Sequence, residues 1–466
     1  MKNTFFACAV AVLLVASNRD AYTQAPPNVE ASVDQVFAKW STSTPGCAVG
    51  VAVDGKPVLT KAYGMADLEH DVRNLPDTIF EAGSVSKQFT AAAILLLAKD
   101  GKLSLDDPAR KYIPELPDYG TPLTIRHMLH HQSGLRDWGS VEAIAGWPRT
   151  TREYTHDHVL DIVSRQEALN FKPGTQYSYS NTGFNLAAII VSRVSGMPFA
   201  DFTAQRIFTP LGMRHTSWRD DHTRIVKGRS VAYSASGDGF HTEMPFENVY
   251  GNGGLLTTVG DLLKWNENFD RPVVGDAALV AQEQEPGKFA DGHEGSYAFG
   301  LMVGNFRGLR KVDHSGSTAG YRAHLSRFPD EHTSVAVLCN VSSGNATGSA
   351  NAVAEIYLAG KLKPAPPPIE PDFTPPAVLL PAATLNEYAG NYWSDEAEVM
   401  FTIVVDKDQL ALKRRPATTI ALTATGKDAF RGSIGTVIFI RDAAGKLKEL
   451  SVRQDRVFDL RFQRRP

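Results

Sequence analysis

Near its beginning, the chain carries an amphipathic stretch followed by two short apolar runs. The amphipathic stretch, residues 29–40, predicts a helix. The apolar runs 47–53 and 57–63 are rich in Val and Ala, and they meet at Asp54-Gly55, a dipeptide typical of tight hairpin turns. The pattern therefore predicts a helix that leads into an antiparallel strand pair.

Strand character returns only after a long, mainly helical section that is punctuated by Gly and Pro. The later apolar runs are 297–303, 321–328 and 334–341, and a closing helix is predicted over 345–358. Strands at both ends with helices between them predict one sheet built from the two ends of a domain, with a helical subdomain inserted.

A proline-rich segment, 363–376, separates this large region from a smaller one. Seven of the thirteen residues from Pro364 onward are proline, a composition typical of an extended, semi-rigid spacer. Beyond it, evenly spaced alternating runs predict an antiparallel meander that closes into a small barrel. These runs are 398–405, 409–412, 418–422, 436–440, 446–452 and 457–462.

Residues 1–25 have the pattern of a secretory signal: Lys2, an apolar run over 5–16, and small or polar residues from Ser17. The run is about half of a membrane span, so no permanent membrane anchor is predicted. Cleavage between residues 17 and 25 would leave a periplasmic or secreted protein with two cysteines, Cys47 and Cys339. A disulfide and a pair of buried free thiols are both compatible with this pattern.

Composition narrows the class of ligand. Of the 466 residues, 43% are hydrophobic and 21% charged, which is typical of a globular protein of two or three domains. The formal net charge is −3 and the chain has no block of Lys or Arg, so we expect neither nucleic acid nor an anionic membrane as a partner. A small-molecule or peptide substrate is the remaining expectation.

The strongest chemical signal is Ser84-Val85-Ser86-Lys87, which opens an apolar stretch typical of a buried helix. Residues three apart share a helix face, so Ser84 and Lys87 are expected to project side by side. A serine hydroxyl needs a neighbouring base, and a lysine whose pKa is lowered by burial can be that base. This pair is the predicted nucleophile and base.

A second element is Tyr179-Ser180-Asn181, which follows a Pro-Gly turn. A tyrosine beside a lysine can relay a proton to a leaving group, and an amide can hold a substrate carbonyl. The same spacing occurs at Tyr250-Gly251-Asn252, and we favour Tyr179 because of its preceding turn. Asp137 and Trp138 also lie near predicted turns but stay outside the predicted site.

A third element is His314-Ser315-Gly316-Ser317, placed at the end of a predicted strand over 308–313. Small residues at a strand edge let a substrate backbone lie alongside, with His314 and Gly316 as predicted contacts. The backbone N–H of Ser317 and that of Ser84 are the predicted oxyanion hole.

The ordered set of S-x-x-K, Y-x-N and a triplet like K-T-G resembles the motifs of β-lactamases and penicillin-binding proteins. The chain is similar to the group that contains class C β-lactamases, DD-peptidases, esterases and D-aminopeptidases. The resemblance extends over residues 30–360 and includes the segments 80–90, 103–108, 125–129, 132–135 and 251–256. The C-terminal part resembles the lipocalin-like barrel appended to some of these hydrolases.

The resemblance implies an α+β fold, in which an antiparallel sheet is flanked by helices and a helical subdomain, with a small C-terminal antiparallel β-barrel. The expected divisions are a signal peptide at 1–25, a serine hydrolase domain at 26–362, a linker at 363–376 and a lipocalin-like barrel at 377–466.

The resemblance implies Ser84 as nucleophile, Lys87 and Tyr179 as the acid–base pair, and Asn181 and His314 as substrate contacts. His314 replaces the Lys of K-T-G, as in H-x-G variants among DD-carboxypeptidases and D-aminopeptidases, which favours D-residue peptides or esters over β-lactams. The expected function is an exported hydrolase that forms an acyl-enzyme on Ser84. The alternative is a penicillin-binding sensor or wall-binding scaffold that acylates with little turnover.

No cofactor or metal is expected. His127, His130 and His131 are grouped, but they lack the H-E-x-x-H spacing of a zinc site, and we interpret them as packing or surface residues. The oligomeric state and the role of the barrel stay open.

Overall fold

The computed structural model describes residues 27–149, 151–365, 367 and 376–466. The predicted signal peptide, 1–25, lies outside the described residues, as does most of the predicted linker.

The helices and strands are numbered here in chain order. The α-helices are α1 Pro27–Val36, α2 Lys87–Lys99, α3 Ile125–Leu129, α4 Trp138–Ala145, α5 His156–Ser164, α6 Asn181–Ser195, α7 Phe199–Thr203, α8 Val259–Glu267, α9 Ala277–Glu283, α10 Ala346–Tyr357 and α11 Ala382–Tyr388. The strands are β1 Cys47–Val53, β2 Lys56–Tyr63, β3 Met65–Asp67, β4 Val72–Arg73, β5 Phe80–Glu81, β6 Ser217–Trp218, β7 Tyr233–Ser236, β8 Gly239–Thr242, β9 Leu255–Thr257, β10 Met302–Phe306, β11 Leu309–Thr318, β12 Tyr321–Phe328, β13 Thr333–Cys339, β14 Gly390–Ser394, β15 Val399–Asp406, β16 Gln409–Arg414, β17 Thr418–Gly426, β18 Ala429–Gly432, β19 Gly435–Arg441, β20 Leu447–Gln454 and β21 Val457–Arg465.

One six-stranded antiparallel sheet joins the two ends of the large domain, in the order β10-β11-β12-β13-β1-β2. This confirms the predicted α+β arrangement. Side chains alternate along β1: Ala48 and Ala52 join the core on one face, and Val49 and Val51 join the core on the other. Helices α1 and α10 cover one face and α8 the other, which is why β1 reads as a continuous apolar run.

The predicted strand 297–303 is wrong in its bounds, because β10 begins only at Met302. The preceding residues are buried but form a turn, in which the Ala298 N–H donates to the Leu301 carbonyl over 2.7 Å. Gly300 sits in this turn with φ of +77°, and a Cβ there would lie 2.7 Å from the carbonyl oxygen of Lys87. The apolar character of this segment therefore reflects packing against α2 rather than strand pairing.

The C-terminal region is a closed barrel of eight antiparallel strands, β14 to β21, in which β14 pairs with β21. The sequence predicted six of these strands and missed β14 and β18. Both are short, and they include Gly, Asn or Arg, so their alternation is weak. Helix α11 adds Tyr388 to the apolar interior, where its ring packs on Phe430 and Phe439.

The barrel docks on the helical part of the large domain through a buried ion pair. Arg136 Nη1 lies 3.1 Å from Glu396 Oε1, with 3% and 7% of the two side chains exposed. Burial outweighs the effect of Arg136 and raises the pKa of Glu396 to about 7. Arg415 adds a bond from its Nε to the Ala145 carbonyl over 3.0 Å.

Among the described residues, no single helix has the length and apolarity to span a bilayer. Helix α6 and the following Phe199–Phe208 segment, which meet at a bend of 82°, reach that length and apolarity only when they are taken together.

Cys47 and Cys339 are directly opposite each other on β1 and β13 and form a disulfide, with their Cα atoms 4.0 Å apart. The bond links positions 292 residues apart and therefore restricts the unfolded chain strongly. We predict that replacing both residues by Ala lowers the free energy of unfolding by about 2–4 kcal/mol. Urea unfolding of the variant, compared with wild type under oxidising and reducing conditions, measures this; equal stability in all samples would contradict it.

Candidate active site

Ser84 lies in a tight turn that is fixed from both sides. The turn is a single 3-10 helix, Gly83–Ser86, which runs directly into α2. Ser86 Oγ donates to the Gly83 carbonyl over 2.5 Å and accepts from the Leu255 N–H of β9 over 3.1 Å. Gly83 has φ of +51°, and a Cβ there would lie 2.5 Å from the Ser317 nitrogen, so only glycine fits.

The Ser84 hydroxyl is contacted by the two predicted proton-handling groups. Lys87 Nζ lies 3.0 Å from Ser84 Oγ, and Tyr179 Oη donates to the same oxygen over 2.9 Å. Lys87 lies in the first turn of α2, three residues after Ser84, and Tyr179 lies in the loop before α6. The structure therefore places these three predicted residues together.

Lys87 is fully buried, and its three hydrogen-bond partners are all neutral. Besides its contact with Ser84 Oγ, Nζ makes two hydrogen bonds as donor, to Asn181 Oδ1 over 2.9 Å and to the Asn252 carbonyl over 2.6 Å. A neutral amine has two N–H donors and one lone pair. Because Asn181 and Asn252 accept both donors, the lone pair is left facing the Ser84 hydroxyl proton.

The surroundings of Lys87 favour this neutral form. Burial, assisted by the charges of Arg149 and Arg456, holds the pKa of Lys87 well below its usual range, and Asp137 opposes the shift. The partial positive charge at the start of α2 acts in the same direction as the two arginines. Burial raises the pKa of the Tyr179 phenol above its usual range, so Tyr179 keeps its proton. These two pKa shifts suit the predicted roles of Lys87 as base and Tyr179 as proton donor.

Asn181 is held by a residue that the sequence reasoning left out. Asp137 Oδ2 accepts from both the backbone N–H of Asn181, over 2.7 Å, and its side-chain Nδ2, over 2.8 Å. This contact turns Asn181 Oδ1 towards Lys87. The predicted substrate contact thus lies in the cleft wall, but part of its hydrogen-bonding capacity already orients the base.

The Tyr250-Gly251-Asn252 segment, set aside in favour of Tyr179, also reaches the site. Its Asn252 carbonyl accepts from Lys87 Nζ, and the side-chain Oδ1 of Asn252 accepts from Asn185 Nδ2 over 2.7 Å. Because a backbone carbonyl makes the contact with Lys87, no residue pattern in the sequence could have indicated it.

His131 positions the loop that carries Tyr179. Its Nδ1 accepts from the Ser180 N–H over 3.1 Å, its backbone carbonyl accepts from the Ser178 N–H over 3.0 Å, and its ring packs on Tyr179 at 4.2 Å between centroids. The ring is buried, as a packing residue should be, and burial lowers its pKa well below 6.5.

The H-x-G motif lies inside β11 rather than after a strand, because β11 extends to Thr318. A Cβ on Gly316 would lie 3.1 Å from the Ser84 nitrogen, and a Cβ on Gly83 would lie 2.5 Å from the Ser317 nitrogen. The backbone of this strand therefore runs against the nucleophile turn. It brings the amide groups of Ser84 and Ser317, the predicted oxyanion hole, to the same end of the cleft.

His314 is held in a neutral form. Its Nδ1 is 2.6 Å from the Ser315 carbonyl oxygen, which can only accept, so Nδ1 carries the proton and Nε2 accepts from the Tyr297 hydroxyl at 2.9 Å. Burial and the charge of Lys87 lower the pKa of His314 to about 4. His314 therefore lines the cleft as a neutral imidazole and not as an imidazolium.

A cleft of about 600 Å³ opens over Ser84. Its walls include the predicted residues Tyr179, Asn181, His314, Gly316 and Ser317. They also include three arginines that the sequence did not indicate: Arg149, Arg322 and Arg456, the last from the barrel.

A family model described as Beta-lactamase matches residues 28–359. The chain belongs to this family. A "D-aminopeptidase" of Brucella ovis is 31% identical over 327 residues, which cover 70% of this chain and 61% of that protein. The chain thus spans less than two thirds of the length of this curated relative.

Solved structures support the same fold. The octameric penicillin-binding protein homologue from Pyrococcus abyssi has 25% identity and a TM-score of 0.64, and the match covers 93% of this chain and 99% of that one. The D-amino acid amidase from Ochrobactrum anthropi SV3 has 21% identity and a TM-score of 0.59, over 72% of this chain and 99% of that one. The first match covers enough of this chain to reach into the barrel.

We predict that the acid limb of kcat/KM reports Lys87. Activity should rise with pH as Lys87 loses its proton, with a midpoint well below the usual lysine value of about 10.4. His314, with a pKa of about 4, and Tyr179, which keeps its proton, should add no transition of their own between pH 5 and pH 9. A pH–rate profile measures this. Lys87→Arg should abolish the activity, whereas Lys56→Arg, an exposed control, should leave the profile unchanged; an activity still rising at pH 10 would contradict the assignment.

A second prediction concerns Asp137. Its Oδ1 caps α4 by accepting from the Ser140 N–H over 3.0 Å, while Oδ2 holds Asn181. Asp137→Asn leaves one acceptor in place of two, so we expect kcat to fall about 10- to 100-fold. Loss of the negative charge should also move the acid limb to lower pH, because Asp137 raises the pKa of Lys87. A purely structural effect would lower the melting temperature without moving the acid limb.

Proposed function

We propose that the chain is an exported serine hydrolase that cleaves amide bonds beside D-configured residues through an acyl-enzyme on Ser84. The observation that carries the proposal is the contact of one hydroxyl, Ser84 Oγ, with a buried amine and a phenol, both within 3.0 Å. The names of two similar proteins, D-aminopeptidase and D-amino acid amidase, support an amide substrate with D configuration.

The proposed reaction begins when Ser84 Oγ attacks the substrate carbonyl carbon and its proton passes to the lone pair of Lys87. The negative charge then moves to the carbonyl oxygen, where the N–H groups of Ser84 and Ser317 would stabilise it. Collapse of this intermediate breaks the C–N bond, and the leaving nitrogen takes the Tyr179 proton. Lys87 then gives its proton to the Tyr179 phenolate, which restores the phenol.

Hydrolysis of the acyl-enzyme uses the same groups in reverse. A water molecule gives a proton to the Lys87–Tyr179 pair as its oxygen attacks the acyl carbon, and Ser84 leaves with that proton. Tyr179 already contacts Ser84 Oγ, so a proton donor stands beside the oxygen that leaves in deacylation. This favours turnover over the alternative, a penicillin-binding sensor or wall-binding scaffold that stays acylated.

Export is part of the proposal, with the periplasm or the medium as the destination. The Cys47–Cys339 disulfide supports it, because such bonds persist in oxidising compartments and are rare in the cytosol.

We predict that Ser84→Ala lowers the rate of amide hydrolysis by about 10³-fold or more, because the variant lacks the attacking oxygen. Turnover of D-Ala-p-nitroanilide and its L isomer measures activity and stereochemical preference. Ser43→Ala, an exposed serine, is the matched control. Full activity in Ser84→Ala, or equal rates with the two isomers, would contradict the proposal.

Intact-protein mass spectrometry after exposure to a penicillin and to a p-nitrophenyl ester separates the alternatives. A burst of one equivalent without steady turnover indicates a sensor or scaffold, whereas steady turnover of the amide indicates the hydrolase. Preferred turnover of the ester or the β-lactam would keep the mechanism and replace the substrate class.

A further inference from the structure

The last turn of the barrel, between β20 and β21, enters the cleft of the large domain. Its backbone is held by segments that carry site residues. Ser178 Oγ donates to the Asp455 carbonyl over 3.0 Å, and the Arg456 carbonyl accepts from Asn170 Nδ2 over 3.1 Å and from the Asp137 N–H over 3.3 Å. The position of this turn is therefore fixed relative to the groups that surround Lys87.

The side chain of Arg456 lies at the catalytic end of the cleft. Its guanidinium carbon is 4.7 Å from the centroid of the Tyr179 ring, and the hydroxyl of that ring is 2.9 Å from Ser84 Oγ. An extended peptide advances about 3.5 Å per residue. A group two or three residues from the scissile bond can therefore reach Arg456.

Arg456 differs from the other arginines of the cleft because its guanidinium has no hydrogen-bond acceptor among the described residues. Arg149 Nε donates to Glu247 Oε2 over 2.9 Å, and Arg322 Nη1 donates to two backbone carbonyls, each over 2.7 Å. For Arg456, no carboxylate within 4.0 Å is found in the part of the chain that the structure describes, and none of the described residues lining the cleft is acidic.

The positive surface continues from Arg456 onto the barrel. A second cleft of about 600 Å³ shares Arg456 with the first and is also lined by Arg431 and Arg453, with Asp455 as its acidic member among the described residues. Arg431 and Arg453 are exposed. A substrate that extends from the first cleft towards the barrel therefore meets an excess of positive charge.

We propose that Arg456 is a specificity-determining residue through which the barrel binds a carboxylate of the substrate. The inference rests on the proposed function and adds to it a chemical class, carboxylate-bearing substrates with their free acid on the barrel side of Ser84. A guanidinium fits this task because it offers a planar pair of donors to both oxygens of a carboxylate.

The same arginine also acts on the base. Its charge is one of the causes that lower the pKa of Lys87. Removal of this charge should raise the pKa of Lys87 and move the acid limb of kcat/KM to higher pH, opposite to the effect of Asp137→Asn. A structural role of the turn alone would not shift the limb in this direction.

The test measures binding in the Ser84→Ala background, so that it does not depend on turnover. The probes are D-alanyl-D-alanyl-D-alanine, whose carboxylate lies two residues beyond its first peptide bond, and its C-terminal carboxamide, titrated by calorimetry. We expect the free acid to bind more tightly than the carboxamide, and Arg456→Gln to weaken binding of the acid about tenfold or more while leaving that of the carboxamide within twofold. Arg456→Lys should retain part of the preference.

Arg453→Gln is the matched control, because it makes the same charge change on the same hairpin outside the catalytic cleft. Equal losses for acid and carboxamide in Arg456→Gln, equal losses in Arg456→Gln and Arg453→Gln, or no binding of the acid to the parent would each overturn the inference. Melting temperatures of all variants exclude misfolding. Turnover by the chain with Ser84 intact reports the proposed function separately, so either hypothesis can fail alone.

Discussion

The site depends on one physical constraint, the burial of the Lys87 amine among neutral hydrogen-bond acceptors. A buried ammonium without a counterion is costly, so the fold favours the neutral amine, which is the form that the proposed mechanism needs in a base. This explains why the residues around it are amides and carbonyls rather than carboxylates. Asp137 contacts Lys87 only through Asn181, a position that orients the amide without pairing with the amine. A carboxylate in direct contact would stabilise the ammonium and remove the base.

Much of the fold could be predicted because its signals are local. The runs that became β1 and β13 are apolar on both faces, and the Asp54-Gly55 turn fixes the β1–β2 hairpin. The errors have a common physical origin, since burial and strand pairing both select apolar residues. The segment around Gly300 is buried because it packs on α2, and sequence alone cannot distinguish this from a strand.

In the site, too, the contacts that local geometry determines could be predicted, whereas backbone and long-range contacts could not. Ser84 and Lys87 are adjacent because helical geometry places residues three apart on one face, and this can be read from the sequence. Asn252 contributes a backbone carbonyl, which has no residue signature. Arg456 belongs to a turn about 370 residues after Ser84, and only the docking of the barrel brings the two together. The protonation state of His314 also followed from a contact, with the Ser315 carbonyl, that the motif does not encode.

The barrel is therefore coupled to the chemistry in two ways that oppose each other. Arg456 favours the neutral form of Lys87 while its guanidinium is unpaired, and a carboxylate bound there would cancel much of that effect. Binding energy gained from a carboxylate is thus partly offset by a weaker tendency of Lys87 to lose its proton. With Arg456 paired, burial remains the largest cause of the low pKa of Lys87, and the charge of Arg149 still assists it. In the proposed mechanism it is therefore the depth of Lys87 in the core, more than any single neighbouring charge, that makes the amine a base for Ser84.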